Sequence, residues 1–557
     1  MVVVEASYKV LTELIGKKLS KSELEEILFT VGFELESLEG DMLKVELTAE
    51  RPDLLSTQGL ARMFRSYLGL KVTPYKIEKS KEKIIAKNTT AEWPFAVACI
   101  VKGLSFDDEK IKEVIRIQEK LGATFLRQRK KGGLGLYPLQ KIKFPVTWTA
   151  EDPKKIRFRP LEYPSELNGL EILEKHPTGM KYKHIMEAKE RGVGLWKKFP
   201  IFKDADNKIL SMPPITNSHD LGKIDESTKD VFVEATGTDL KTITLALEVL
   251  VGALIDMGGK VYALEIDDGK EKIVTPRFEE EKRSLKVEQV NSLLGLNLSA
   301  VEIKKLLLKM GYGVPSHTEK ELKLLVPGTR SDIWHDVDVI DDVARAYGFN
   351  NFEVRTKPVP TVGDTTRSVK VKEEISKLLV GLGFQEVFTL ILTSSQDQFD
   401  KMNVKELQYM KLGKSVEESV NMARVWLLPE LMKALHYNRS ASFPQRLFEI
   451  NLVVIPDEKK DVLCRDEWRL AVVSSHSQPA FTETKQIIET LFGSLGVSYE
   501  LKEKVHTSFI QGRCASIVVE GKEIGCMGEI HPLVLEKWGL EMPAVGLEVN
   551  LSELFKL

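Results

Sequence analysis

The sequence predicts a multidomain α+β protein, and three observations predict it. With 557 residues, the chain is too long for one hydrophobic core and corresponds to roughly four domains of about 150 residues. Helix-period and alternating apolar stretches are interspersed along its whole length. One helical unit also occurs twice: Leu14–Phe33 aligns without gaps on Leu293–Tyr312, matching Ser20 to Ser299, Glu23 to Glu302, Gly32 to Gly311 and Phe33 to Tyr312. Both copies spell a cap, about three helical turns, a glycine stop and an aromatic. The echo reads either as a repeated small module or as one common helix-turn solution used twice.

Five segments follow in order: 1–85, 86–275, 276–350, a linker at 351–368, and 369–557. In the first, the Ser20/Glu23 capping pair and the Leu24, Ile27, Leu28 stripe predict a helix stopped at Gly32. MLKVELTAE alternates as a strand, Pro52 ends it, and Ser56 or Thr57 caps a helix running to Leu68. The lysine-rich KIEKSKEKIIAKNTT lacks strong core positions and reads as a boundary. In the second segment AVACIVKGL reads as a strand, DEKIKEVIRIQEKLGATFLRQRK as a helix, KKGGLGLYPL as a loop and LKTITLALEVLVGALIDMGG as a strongly apolar helix. The third reads as helix, helix, strand (LKLLVP), helix. The linker carries FEVRTKPVPTVGDTTRS. The last opens with a helix ending at Gly381–Gly383. The strands EVFTLILTS, RLFEINLVVI, RLAVVSS, CASIVVEG and KEIGCMGEI follow, with the helix TKQIIETLFGSLG among them, which makes an antiparallel-rich sheet domain.

Composition excludes several function classes. A hydrophobic share of 43%, a charged share of 29% and a net charge of -2 exclude a polycationic tail protein. Charge is nonetheless uneven: residues 102–143 carry eleven Lys/Arg against five Asp/Glu, a local +6 that reads as an RNA-facing patch or as plain solvation. The four cysteines, Cys99, Cys464, Cys514 and Cys526, form no CxxC pair, which argues against a disulfide framework or structural zinc. The first residues do not read as a signal peptide, and no run of 18 uncharged apolar residues occurs, so a soluble, cytoplasmic protein without a membrane partner is expected. No GxGxxG, Walker A, HExxH or nucleophile elbow is present.

Two stretches carry chemistry. VPGTRSDIWHDVDVIDDVARAYGF places Asp332, Asp336, Asp338, Asp341 and Asp342 within eleven positions. On a helix beginning near Asp336, residues 338, 341, 342 and 345 share one face. Carboxylates that close repel unless a cation or an arginine sits among them, and Mg2+ suits oxygen ligands of this kind. Helix N-terminal capping is the competing account; it fits Asp336 and Asp338 better than Asp341 and Asp342. The second stretch, Leu210–Thr242, clusters Ser211, Thr216, Asn217, Ser218, Thr236 and Thr238 around the ionisable His219 and Glu234. It reads as a polar pocket beside a helix start or as a self-capped polar turn.

With these placed, the chain resembles the β subunits of phenylalanyl-tRNA synthetases in their shorter archaeal/eukaryotic form, over essentially its whole length. The markers are VELTAERPDLLSTQGLAR (Val45–Arg62), PPITNS (Pro213–Ser218) with the later EATGTD, RSDIWHDVDVIDDVARAYGF, the stretch from Arg424 through LLPELMKALHYNRS, and RLFEI (Arg446–Ile450). The resemblance implies a small helix/strand N-terminal module at 1–85 and an aminoacyl-tRNA editing domain at 86–275. It further implies a winged-helix-like module with the acidic helix at 276–350, and a degenerate class II synthetase-like antiparallel sheet domain at 369–557 that serves assembly. Arg446 is then structural and does not contact ATP.

The resemblance also implies an α2β2 tetramer with the α subunit, which would hold the ATP-dependent site that attaches phenylalanine to tRNA(Phe). In the editing pocket Ser211, Asn217, Glu234 and Thr236 would act on mischarged tyrosyl-tRNA. Glu234 would recognise the hydroxyl, Asn217 and Thr236 would position ester and water, Phe202 could contribute to the apolar lining, and His219 would be a spare. A family pattern RxDxxxxxDxxEE implies Mg2+ on Asp332, Asp338, Asp341 and Asp342, the last two being aspartates where glutamates are common. A purely structural partner subunit without hydrolytic activity is the alternative.

Overall fold

The first strand, Val2–Ser7, pairs antiparallel with Met42–Leu47, which also pairs with Glu34–Glu39 to give a three-stranded sheet. The helices Tyr8–Ile15, Lys21–Val31 and Thr57–Tyr67 accompany it. Ser20 and Glu23 form the reciprocal capping box, and Ser56 caps the third helix by accepting from the Gly59 amide. Gly32 stops the second helix at φ 91°, a left-handed position that favours glycine. The computed structural model describes residues 2–48, 50–187, 194–354, 356, 362–415, 417 and 419–557. It divides into the units Met1–Arg355 and Thr356–Leu557. Part of the expected linker, 355 and 357–361, lies outside the described residues.

A ten-stranded sheet dominates the first unit. Its path runs Thr216–Asn217, Ile209–Met212, Phe199–Lys203, Val146–Glu151, Ile77–Ala86, Lys260–Asp267, Phe95–Lys102, Val231–Gly237, Gly132–Pro138, with Lys272–Thr275 paired onto Lys260–Asp267. The apolar helix Leu240–Asp256 packs on one face against Val97, Val101, Val231 and Val233. The opposite face is aromatic: Trp148, Phe202, Phe232 and Tyr137 share a second core.

Two expectations are corrected here. The lysine-rich stretch taken as a boundary forms the strand Ile77–Ala86, paired in parallel on both sides. Only Ile84 is fully buried, because the ladder satisfies the backbone while the charged side chains stay in water. The GGLGL stretch taken as a loop lies in the strand Gly132–Pro138, paired residue for residue with Val231–Gly237.

The first unit also holds a three-stranded sheet, ordered Glu281–Lys286, Glu321–Val326, Gly313–His317, with the helices Val287–Leu294, Ala300–Lys309 and Asp336–Tyr347. The sequence reading missed two of these strands. Ser299 and Glu302 repeat the capping box of Ser20 and Glu23, and Gly311 repeats the positive φ of Gly32.

The second unit holds a seven-stranded sheet, ordered Gln385–Glu386, Gln445–Pro456, Cys464–Ser475, Ala544–Asn550, Lys522–Ile530, Phe509–Val519, Glu500–Glu503. Phe448, Leu470 and Leu547 pack with the helices Arg367–Gly381 and Phe481–Ser494 in one core. Val453, Val473 and Ile530 pack with Leu428–Tyr437 and Pro532–Trp538 in another. The expected strand EVFTLILTS is corrected to two short pairings, Gln385–Glu386 and Leu392–Thr393, and Phe388 and Leu390 between them are 78% and 76% exposed.

Candidate active site

The Val231–Gly237 strand sends Val231, Val233 and Ala235 into the core beneath the apolar helix. Period-two alternation therefore puts Phe232, Glu234 and Thr236 on the aromatic face. Glu234 lies opposite Gly135 on one neighbouring strand and Ala98 on the other; Thr236 lies opposite Gly133 and Ala96. Four of the smallest side chains thus surround the two polar ones. A Cβ at Gly135 would collide with both the Glu234 carboxyl and the Tyr137 hydroxyl, so that position needs glycine for lack of room, whatever its φ.

Ser211 and Asn217 arrive from the far end of the same sheet, as register partners on Ile209–Met212 and Thr216–Asn217. The strands Thr216–Asn217 and Gly132–Pro138 end the sheet's path, yet the Tyr137 hydroxyl is 3.1 Å from Asn217 Oδ1 and 3.0 Å from Glu234 Oε1. The sheet therefore curls until its two ends meet, and the four sequence-predicted residues gather around that seam.

The seam is buried and underpartnered. Ser211, Glu234 and Thr236 are 1%, 2% and 0% exposed, and among the described residues Glu234 Oε2 and Thr236 Oγ1 have no hydrogen-bond partner and Ser211 Oγ has none beyond its approach to the Tyr137 hydroxyl. A buried polar atom left unpaired costs roughly 1–3 kcal/mol, so three in one place mark a position for a ligand group or a water. Burial pushes the Glu234 carboxyl up to about 8, against the smaller opposing pull of the Tyr137 hydroxyl. Phe202 is fully buried, 4.7 Å from Trp148 between ring centroids, as an ordinary core residue would be. His219 Nδ1 accepts from the Glu162 amide at 3.1 Å.

Sequence reasoning missed Tyr137, Gly133 and Gly135. Their signal was the alternation of Leu134 and Leu136 with Gly133, Gly135 and Tyr137, which the glycines disguised as a loop. Within the +6 stretch Lys110, Lys112 and Arg116 pair with acids of the same stretch, Lys143 pairs with Asp206, and Arg129 lies over the Tyr182 ring.

The four aspartates assigned to Mg2+ are not gathered into one cluster. Arg330, 3% exposed in its side chain, holds Asp332 through two bonds of 2.8 and 2.6 Å and Asp342 through one of 2.7 Å. Tyr312 donates to Asp342 at 2.6 Å. Asp338 accepts from the Trp334 and His335 amides, both at 2.7 Å, and Asp341 accepts from Arg345 at 2.7 Å. Each carboxylate already has a donor, and among the described residues no group of three or more His, Cys, Asp or Glu is placed to hold a metal. The expected shared face is thereby corrected. Asp342 points inward to a buried arginine, Asp341 lies along the exposed side, and Asp338 caps the helix. Burial alone would raise Asp332, but the Arg330 guanidinium outweighs it and holds that carboxyl below its ordinary range.

Comparison with known proteins agrees along the whole chain. Residues 1–70 match the family model of the Phe-tRNA synthetase beta subunit B1 domain, 283–349 that of the tRNA synthetase B5 domain, and 353–551 that of the phenylalanyl tRNA synthetase beta chain CLM domain. The chain is 37% identical over 554 residues to the phenylalanine–tRNA ligase beta subunit of Pyrococcus furiosus, covering 98% of each. It is 34% identical over 562 residues to that of Methanocella arvoryzae, covering 100% of each. A crystal structure of an N-terminal fragment of the Pyrococcus horikoshii phenylalanyl-tRNA synthetase beta subunit aligns with TM-score 0.59 and 33% identity, over 62% of this chain and 100% of that one.

Proposed function

The chain belongs to the family of phenylalanine–tRNA ligase β subunits and acts in phenylalanyl-tRNA formation; from the seam of the curled sheet we propose that it also hydrolyses tyrosyl-tRNA(Phe). The observation that carries this reading is the set of three buried, underpartnered polar atoms on Ser211, Glu234 and Thr236.

The need for such a site is physical. A pocket built for phenylalanine cannot strongly reject a ring that merely gains a hydroxyl. A polar pocket has the converse preference, because phenylalanine would leave its buried groups unpaired. Glu234 accepts from the phenolic O–H, while Asn217 and Thr236 orient the ester and the attacking water. Water adds to the ester carbonyl carbon and the bond to the ribose oxygen of the terminal nucleotide breaks. That oxygen takes a proton derived from the water, releasing tyrosine and free tRNA.

The synthetic reaction belongs to the partner in this reading. The α subunit, in an α2β2 tetramer, uses ATP to attach phenylalanine to tRNA(Phe). Exposed Phe388, Leu390 and Leu392 on the second unit supply an apolar strip suited to that contact. No step of the hydrolysis is routed through Asp332, Asp338, Asp341 or Asp342, whose carboxylates accept from protein donors.

The test is deacylation of preformed tyrosyl-tRNA(Phe) by the reconstituted complex. Wild type is expected to hydrolyse it, and Glu234→Ala to lose at least tenfold in rate while phenylalanine attachment continues. Equal hydrolysis by the two would leave the purely structural role standing.

A further inference from the structure

The Tyr137 hydroxyl carries one proton and faces two oxygens, Asn217 Oδ1 at 3.1 Å and Glu234 Oε1 at 3.0 Å. It can donate to only one of them, so the second short distance needs a donor from the other side. Either a proton on Glu234 or the Asn217 amide turned to present Nδ2 supplies it, and in both arrangements the phenol bridges Asn217 and Glu234. Burial favours the protonated form of Glu234. The arrangement ties both ends of the sheet through one phenol and leaves Glu234 Oε2 as an acceptor with no partner.

The phenol itself is firmly seated. Tyr137 is 0% exposed, its ring is 5.7 Å from that of Phe232, and a Cβ on Gly222 would come within 3.5 Å of it. Gly135 leaves room for its contact with Glu234.

Resting on the hydrolytic reading above, we propose that Tyr137 is the specificity-determining positioning residue of this pocket. Held between Asn217 and Glu234, it fixes the Glu234 carboxyl so that Oε2 accepts from the phenolic O–H of a tyrosyl group. Tyr137 acts through Glu234, and so its effect falls on the choice between tyrosine and phenylalanine.

The experiment measures kcat/KM for hydrolysis of preformed tyrosyl-tRNA(Phe) and phenylalanyl-tRNA(Phe) by the reconstituted complex. The proteins are wild type, Tyr137→Phe, Glu234→Gln and the double variant. Tyr137→Phe keeps the ring and removes one oxygen; its melting temperature reports the fold. The expected result is a tyrosine-over-phenylalanine ratio at least tenfold lower in Tyr137→Phe, with the double variant no worse than the poorer single one, since both break the same link.

A Tyr137→Phe protein that slows both substrates equally, or a double variant whose losses multiply, overturns the proposal while hydrolysis itself stands. Wild type that hydrolyses neither substrate removes the hydrolytic reading and the proposal together. Should Tyr137→Phe fold poorly, Gly135→Ala forces Tyr137 and Glu234 apart without altering either, and an unchanged ratio there overturns the proposal equally.

Discussion

Glu234 is a carboxylic acid kept neutral by its surroundings, and that has a pH signature in stability as well as in chemistry. Its carboxyl moves from the ordinary 4.5 up to about 8 through burial. Below pH 4.5 folded and unfolded chains both hold the proton, and this residue adds no pH dependence. From 4.5 upward the unfolded chain releases the proton while the folded one keeps it, so stability falls with pH until about 8 and is flat beyond. The loss over that window is at most about 5 kcal/mol. Glu234→Gln removes the titrating group. Its melting temperature is therefore expected to match wild type near pH 4.5 and to exceed it increasingly up to pH 8 to 9. Thermal scans across pH 4.5–9 check this; parallel curves for the two proteins would mean Glu234 is ionised in the fold.

The acidic helix Asp336–Tyr347 poses the corresponding question for an element. Its partners are protein groups: Arg330 for Asp332 and Asp342, Arg345 for Asp341, backbone amides for Asp338. Arg345 also donates to the Val31 carbonyl at 3.0 Å, and Ser331 to the Glu50 carbonyl at 2.8 Å, so the same groups fasten the third module of the first unit to its first module. Removing one partner of a buried ion pair costs about 3–5 kcal/mol because the others are left charged and unpaired. Arg330→Met is accordingly expected to lower the melting temperature by several degrees, whereas EDTA or millimolar Mg2+ should leave wild type within about one degree. A large chelator effect would reinstate the metal.

This helix also shows where the sequence could be read and where it could not. Period placed the helix correctly, and the capping account weighed for Asp338 is the one its bonds to the Trp334 and His335 amides follow, since capping depends on neighbours in the chain. Which charge neutralises Asp342 depends on Arg330, twelve residues away around a turn, and on Tyr312 from another element. The reading had left arginine and cation open at that point, and only the fold decides between them. The candidate pocket divides the same way. Residue type marks the stretch Leu210–Thr242 as polar and the family resemblance selects Ser211, Asn217, Glu234 and Thr236 within it, but Tyr137 counts only because the sheet curls its last strand onto its first.

At the scale of the whole molecule, the second unit carries its own evidence of incompleteness. The stretch expected to be the strand EVFTLILTS is apolar at five of its nine positions; Val387 packs on a core, yet Phe388 is 78% exposed, Leu390 76% and Leu392 48%. An apolar run records a preference for cover without saying whether the cover is in the same chain, and so it does not by itself specify a ladder strand. Beneath this strip the chain is firmly anchored. The fully buried Arg424 donates to Glu449 at 3.1 Å and to the Thr389 hydroxyl at 2.7 Å, so Thr389, between Phe388 and Leu390, is pinned to the sheet.

A strip held rigid at its base and apolar at its surface suits a permanent subunit contact. Leu390→Glu places a charge in that contact while touching no core residue. It is expected to leave the chain's melting temperature within about two degrees of wild type, and to cut phenylalanine attachment by the mixed α and β subunits at least tenfold through lost assembly. Size-exclusion chromatography of the mixture separates the two causes. Intact tetramer with lost attachment would assign the strip to the reaction, and intact tetramer with full attachment would place the subunit interface elsewhere on the second unit.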